Sequence, residues 1–156
     1  IGATNVYRVG GRCLGVFTLI LDALKGVLPV FVALQVGFSP VEVALIASAT
    51  FLGHCYPVYL GFKGGKGVAT GLGIYLVLSP LAVSIALLVF GAVLWRWRYV
   101  SLASISAAAV IPFLVLGIEG SIPLFLATLF IAAMVIFRHR GNIERLLDGS
   151  ENRFQA

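Results

Sequence analysis

Residues Val68 to Trp95 read VATGLGIYLVLSPLAVSIALLVFGAVLW, 28 residues without a charge. A helix needs about 20 apolar residues to cross a bilayer core of ~30 Å. This stretch is therefore either one long span or two shorter ones broken at Ser79-Pro80. The choice sets the side on which everything after it lies. Cytoplasmic loops collect Lys and Arg, and that bias orients a membrane protein. With a break at Ser79-Pro80, Arg8, Arg12, Lys63, Lys66, Arg96, Arg98, Arg138, Arg140, Arg145 and Arg153 all fall on one side, ten against none. Lys25 then lies within a span, and the opposite loops hold Glu42 and Glu119. Without the break, the same ten divide four against six. The break is the better reading.

Working outward, the other apolar runs are Cys13 to Val36, Val41 to Leu60, Tyr99 to Gly117 and Ile122 to Phe137. The expectation is an all-α polytopic membrane protein. It has six membrane segments, both chain ends are cytoplasmic, and residues 1–156 form one domain. Val68–Leu78 is too short to cross comfortably and is expected to be a short or half-buried helix.

Composition agrees. Sixty per cent of the 156 residues are hydrophobic and 11% are charged, and the mean hydropathy is +1.07. Soluble domains are roughly 45–50% apolar and about 25% charged, so lipid must be part of the solvent. The net charge of +5 would suggest nucleic acid in a soluble protein; here it follows the membrane side, and no nucleic-acid partner is expected. Cys13 and Cys55 form no CxxC pattern and read as small apolar residues near membrane depth. The first twelve residues carry no apolar core of a signal peptide. The chain opens at Ile1 without an initiator Met, which reads as a truncated start.

Three polar clusters share the basic side. They are Gly2 to Arg8, then Gly53-His54 with Gly61 to Thr70, then His139 to Glu151. Arg96, Arg98 and Arg138 serve as ordinary anchors, but an anchor needs no glycine. Gly64-Gly65-Lys66-Gly67 sets three glycines around a lysine between two apolar helices. Glycine lets backbone N–H groups turn toward an anion at positive φ, and lysine adds a point charge. Thr70 stands near the start of the next helix, whose N-terminus favours anions. The pattern reads as a phosphate cradle. It is not a Walker A loop, because Gly67 stands where Ser or Thr is required.

His139 and Glu144 have the spacing of the His-x-x-x-x-Asp motif of acyl-CoA-dependent glycerolipid acyltransferases, with Glu for Asp. Residues five apart on a helix share a face poorly. Asp22 and Lys25 read as an i,i+3 ion pair facing the bundle interior. The two histidines lie on separate loops without neighbouring carboxylates and make a poor metal site; no metal or cofactor is expected.

Together these stretches resemble the PlsY family of acyl-phosphate:glycerol-3-phosphate acyltransferases. The likeness rests on Gly2-Ala3-Thr4-Asn5 with Arg8, on Gly53 to Val58 with Phe62 to Thr70, and on His139 to Leu146 with Gly149 and Glu151. Leu21 to Gly26 and Arg98 to Ser104 add to it. The family has seven helices with its N-terminus outside, and a Ser-Gly-Asn before the Gly-Ala-Thr-Asn. One helix placed ahead of the six expected here gives that topology. The resemblance implies transfer of a fatty acyl group from an acyl phosphate to glycerol 3-phosphate, at a cytoplasmic site in a bacterial inner membrane. It implies catalytic roles for Lys66, His139, Asn142 and Glu151. It implies phosphate or substrate binding by Thr4, Asn5, Arg8, Gly64, Gly65, Lys66, Ser104, Arg140 and Asn142. Lys66, Arg8 and Asn142 are expected to line one phosphate hollow, and Glu151 to accept from a basic group such as Arg8 or Lys66.

Two other functions fit the composition. A small anion transporter would also gather Lys, Arg and Gly at a membrane opening, but it usually shows internal repeats, and none is visible. A CDP-alcohol phosphotransferase would carry clustered aspartates, whereas the only Asp residues are Asp22 and Asp148.

Overall fold

The computed structural model describes residues 2–154, without the side chain of Arg8. Among the described residues the regular elements are all helices. The helices are α1 (Ala3–Gly10), α2 (Arg12–Val36), α3 (Pro40–Cys55), α4 (Val68–Leu78), α5 (Pro80–Trp97), α6 (Val100–Glu119), α7 (Ile122–Arg138) and α8 (Arg140–Leu147). The chain divides into two compact units, Ile1–Pro80 and Leu81–Ala156, which are described separately.

Ser79 ends α4 and Pro80 opens α5, as the charge argument requires. Proline has no N–H to give and suits a first helical turn. Four helical stretches are long and apolar enough to cross a membrane: Arg12–Val36, Pro40–Leu60, Pro80–Trp97 and Val100–Glu119. Ile122–Arg138 joins them only if it is taken with Arg140–Leu147, which bends away by 55°. The eleven residues of α4 reach about 16 Å at 1.5 Å per residue, half of a bilayer core. The described helices therefore give four or five spans by length, where six segments were expected. The surface fits lipid. Leu14, Phe17, Leu28 and Phe31 on α2 and Leu81, Leu88 and Trp95 on α5 are exposed. So large an apolar surface would mark a soluble protein as aggregation-prone.

In the first unit, α2 packs against α1, α3 and α4. The α2–α4 crossing is close because both faces are glycine. A Cβ on Gly26 would overlap the Thr70 carbonyl, and one on Gly73 would overlap the Ala23 carbonyl. Small residues allow such approach between membrane helices. Gly15 of α2 lies under Tyr7 of α1 in the same way. Gly37, at φ 81°, ends α2, and a Ser39–Glu42 capping box with Pro40 starts α3. The second run, read to about Leu60 with a late interruption at His54 and Pro57, leaves the α-helix at Cys55. Pro57 intervenes, and Val58–Leu60 makes a single 3-10 turn.

In the second unit, α6 packs on α7. The Phe113 and Phe125 rings lie 6.3 Å apart, and Val115 and Ile131 are buried. The chain after α8 returns to the α5–α6 junction, where the Phe154 N–H donates to the Arg98 carbonyl at 2.6 Å.

Candidate active site

The glycine loop of the first unit is held from two sides. The Gly64 N–H donates to the Cys55 carbonyl at 3.1 Å, and a Cβ on Gly64 would overlap the His54 carbonyl. Gly67 has φ 80° and caps α4, a conformation natural only to glycine; a Cβ there would also strike the Phe51 ring. Gly65 is buried and Lys66 is exposed. Of the three glycines around Lys66, only Gly67 has positive φ, and the Gly64 N–H is already given to the Cys55 carbonyl. Thr70 plays a different part from the one expected. It is fully buried, and its hydroxyl donates to the Asp22 carbonyl at 3.0 Å, so its hydrogen ties α4 to α2 instead of meeting an anion. Thr4 and Asn5 are exposed on α1, a helix not anticipated over that polar stretch. The side chain of Arg8 lies outside the described residues.

Beside the loop is a hollow of about 340 Å³, within the range of ligand pockets, lined by Thr18, Asp22, Lys25, His54, Gly64 and Gly65 among others. Asp22 Oδ1 accepts from Lys25 Nζ at 2.8 Å. The expected pair is thus formed, but only its acidic half is buried: the side chain of Asp22 is 8% exposed and that of Lys25 is 55% exposed. His54 Nδ1 lies 3.7 Å from the same oxygen. The sequence offered the i,i+3 spacing but no sign of His54.

In the second unit, His139 is buried at the α7–α8 bend. Its Nδ1 lies 2.7 Å from the Val135 carbonyl. A carbonyl only accepts, so Nδ1 carries hydrogen and Nε2 is the basic nitrogen of the neutral ring. Asn142, three residues on, is also buried, and its Nδ2 donates to Glu151 Oε1 at 2.7 Å. Ser101 Oγ donates to that oxygen at 2.7 Å, and Arg145 Nε donates to Glu151 Oε2 at 2.7 Å. The basic partner recorded for Glu151 is therefore Arg145, a neighbour on the tail. Ser101 and Arg145 were both missed as its partners, although Ser101 lies within the Arg98–Ser104 stretch already singled out. Ser104 is buried, and its hydroxyl donates to the Val100 carbonyl at 2.8 Å. The Arg140 guanidinium lies over the Phe137 ring, 4.9 Å from its centroid. Glu144 is exposed while His139 is buried, so these two do not form the dyad of the acyl-CoA motif.

Burial alone would raise the Glu151 pKa. Hydrogen bonds from Ser101, Asn142 and Arg145, with the Arg145 charge, outweigh it and hold the carboxyl below its ordinary value. A lowered folded-state pKa gives stability above the unfolded value, lost as pH falls through the folded one. The tail should thus stay docked from neutral pH down to the ordinary glutamate range and loosen only in stronger acid. Glu151→Gln removes bonds to a charged group, each contributing roughly 1.5–3 kcal/mol. Thermal unfolding of this variant should show a lower midpoint at neutral pH and little of the acid-induced decline. An unchanged midpoint would contradict the clamp.

Apolar spans, a glycine–lysine loop and buried polar groups at a helix bend are those of a multi-pass membrane protein with a polar site. A family described as glycerol-3-phosphate acyltransferase matches residues 1–149. A glycerol-3-phosphate acyltransferase of Syntrophotalea carbinolica is 62% identical, over 100% of this chain and 80% of its own length. One from Geobacter sulfurreducens is 53% identical over the same shares. The crystal structure of PlsY, an integral membrane glycerol 3-phosphate acyltransferase, in its glycerol 3-phosphate form has a TM-score of 0.95 at 41% identity, covering 99% of this chain and 78% of that one. Its lysophosphatidic acid form gives 0.92 at 43%, covering 99% and 79%. The chain belongs to the glycerol-3-phosphate acyltransferase family.

Proposed function

We propose that this protein moves a fatty acyl group from an acyl phosphate to a hydroxyl of glycerol 3-phosphate, giving 1-acyl-glycerol 3-phosphate and inorganic phosphate. The observation that carries the reading is the glycine–lysine loop, turned into α4 by Gly67 at φ 80°, in a chain so similar to PlsY in its glycerol 3-phosphate and lysophosphatidic acid forms. Both substrates are phosphate-bearing, so cations and N–H donors are the groups the reaction needs. The donor is already activated as a mixed anhydride. The acceptor oxygen attacks the acyl carbon, the carbon–oxygen bond to phosphate breaks, and the hydroxyl proton leaves on a phosphate oxygen.

In the first unit, Lys66, Gly64, Gly65, Arg8, Thr4 and Asn5 bind phosphate. In the second, His139 and Asn142 orient the reacting groups, Arg140 and Ser104 bind substrate, and Glu151 fixes Asn142. Initial rates with palmitoyl phosphate and with palmitoyl-CoA, each with glycerol 3-phosphate, test the donor. The acyl phosphate should be the faster, and faster turnover of the thioester would overturn the reading.

The ten-to-none distribution of basic residues supports six membrane segments in a bacterial inner membrane with the site on the cytoplasmic side. Single cysteines placed beside Arg98 and Arg145 should react with an impermeant thiol reagent from one side only. Labelling of the two from opposite sides would sink the topology.

A further inference from the structure

One residue of α2 is tied to both ends of the glycine loop. The Asp22 carboxylate accepts from Lys25 at 2.8 Å and lies 3.7 Å from His54 Nδ1, an electrostatic contact longer than a hydrogen bond, and the Asp22 main-chain carbonyl accepts from Thr70 Oγ1 at 3.0 Å. His54 is followed by Cys55, whose carbonyl holds the Gly64 N–H at 3.1 Å. Gly64 is pressed so close that a Cβ would overlap the His54 carbonyl. Thr70 stands in the first turn of α4, just after the Gly67 cap. The loop is thus entered against His54–Cys55 and left at Gly67–Thr70, and both places refer to residue 22. An ion pair within one helix accounts for Lys25 alone; it needs neither His54 nor Thr70. The close glycine crossing of α2 and α4 at Gly26 and Gly73 makes the Asp22–Thr70 bond short-range and rigid.

We propose that Asp22 is a positioning residue for the glycine loop, clamping its entry through His54 and its exit through Thr70. The clamp holds the backbone N–H groups and the Lys66 stem in one fixed geometry. Lys25 offsets the carboxylate charge inside an apolar span, where an uncompensated charge is costly. The functional consequence rests on the phosphate-binding reading of the loop; the clamp itself does not.

The test is amide hydrogen exchange of the full chain in detergent, read over residues 61–72, alongside kcat and KM for glycerol 3-phosphate. Asp22→Asn keeps the shape and loses the charge. Thr70→Val keeps the shape and loses the hydroxyl, and Thr70→Ser keeps the hydroxyl. Asp22→Asn and Thr70→Val should each speed exchange in the loop by about tenfold or more, since local opening reads local stability. Both should lower kcat/KM mainly through KM. Thr70→Ser should restore both readouts. The double variant Asp22→Asn, Lys25→Met should remain loosened, because the His54 tie is still lost. Loop exchange unchanged in Asp22→Asn and Thr70→Val would overturn the clamp, as would full recovery in the double variant. If Asp22→Asn does not fold, His54→Asn takes its place, since it removes the entry contact from the other side, and unchanged loop exchange in that variant overturns the clamp. A loosened loop with unaltered kinetics supports the clamp and removes the phosphate-binding reading instead.

Discussion

Lys66→Ala is expected to lower kcat/KM for glycerol 3-phosphate by about tenfold to over a hundredfold, the equivalent of one hydrogen bond to a charged group at roughly 1.5–3 kcal/mol. The loop around Lys66 gives the reason. Gly64 is held by the Cys55 carbonyl, and Gly67 is fixed at φ 80° against the Phe51 ring, so the lysine stem starts from a set position between them. Lys66 itself is exposed, so its truncation leaves the buried packing untouched. Lys66→Arg should not rescue fully, because a planar fork cannot replace a compact ammonium in a cradle of backbone donors. Near wild-type turnover in the alanine variants of Lys66, Arg8 and Asn142 would refute the roles proposed for them.

Gly73→Ala should be strongly destabilising, since its Cβ makes a shorter overlap than one added at Gly26 or Gly64. The new Cβ meets the main-chain carbonyl of Ala23, and a backbone atom cannot rotate away as a side chain can. Overpacking typically costs 1–3 kcal/mol, and here the crossing also carries the Thr70–Asp22 hydrogen bond. The expected result is a fall of about 5 °C or more in the detergent thermal midpoint, at ~2–4 °C per kcal/mol for a chain of this size, with activity falling alongside. Gly91→Ala in α5 is the control. Nothing lies within 4 Å of its added Cβ, and alanine is the better helix former by roughly 0.5–1 kcal/mol, so it should be neutral or slightly stabilising. Equal midpoints for the two variants would show that the α2–α4 crossing is looser than described.

What could be read in the sequence was local. The Ser79-Pro80 break and the ends of α2 and α6 follow from apolar runs, glycine stops and the bookkeeping of charge. The span count was less legible. Val68–Leu78 was readable as too short to cross, and the structure agrees; Ile122–Arg138 is the segment whose length leaves the crossing open. Helix α1 was missed although Ala3, Val6 and Tyr7 stand at i, i+3 and i+4 and share one face; what seats it is Tyr7 on Gly15, a contact between helices. Long-range pairings were hidden for the same reason. Thr70 meets Asp22 across 48 residues of chain, and Ser101 meets Glu151 across 50. No spacing rule encodes such distances. The glycine–lysine loop was legible because three glycines in four residues have no structural use in an apolar protein unless the backbone must turn or be approached closely.

The central claim is that the departing group is phosphate. Purified protein supplied with palmitoyl phosphate and labelled glycerol 3-phosphate tests it when acyl-glycerol 3-phosphate and inorganic phosphate are quantified in the same samples. The account predicts that the two rise together, one for one, only when both substrates are present, and that Lys66→Ala slows both equally. Phosphate released without acylated product, or product formed only when a thioester donor is supplied, would contradict it.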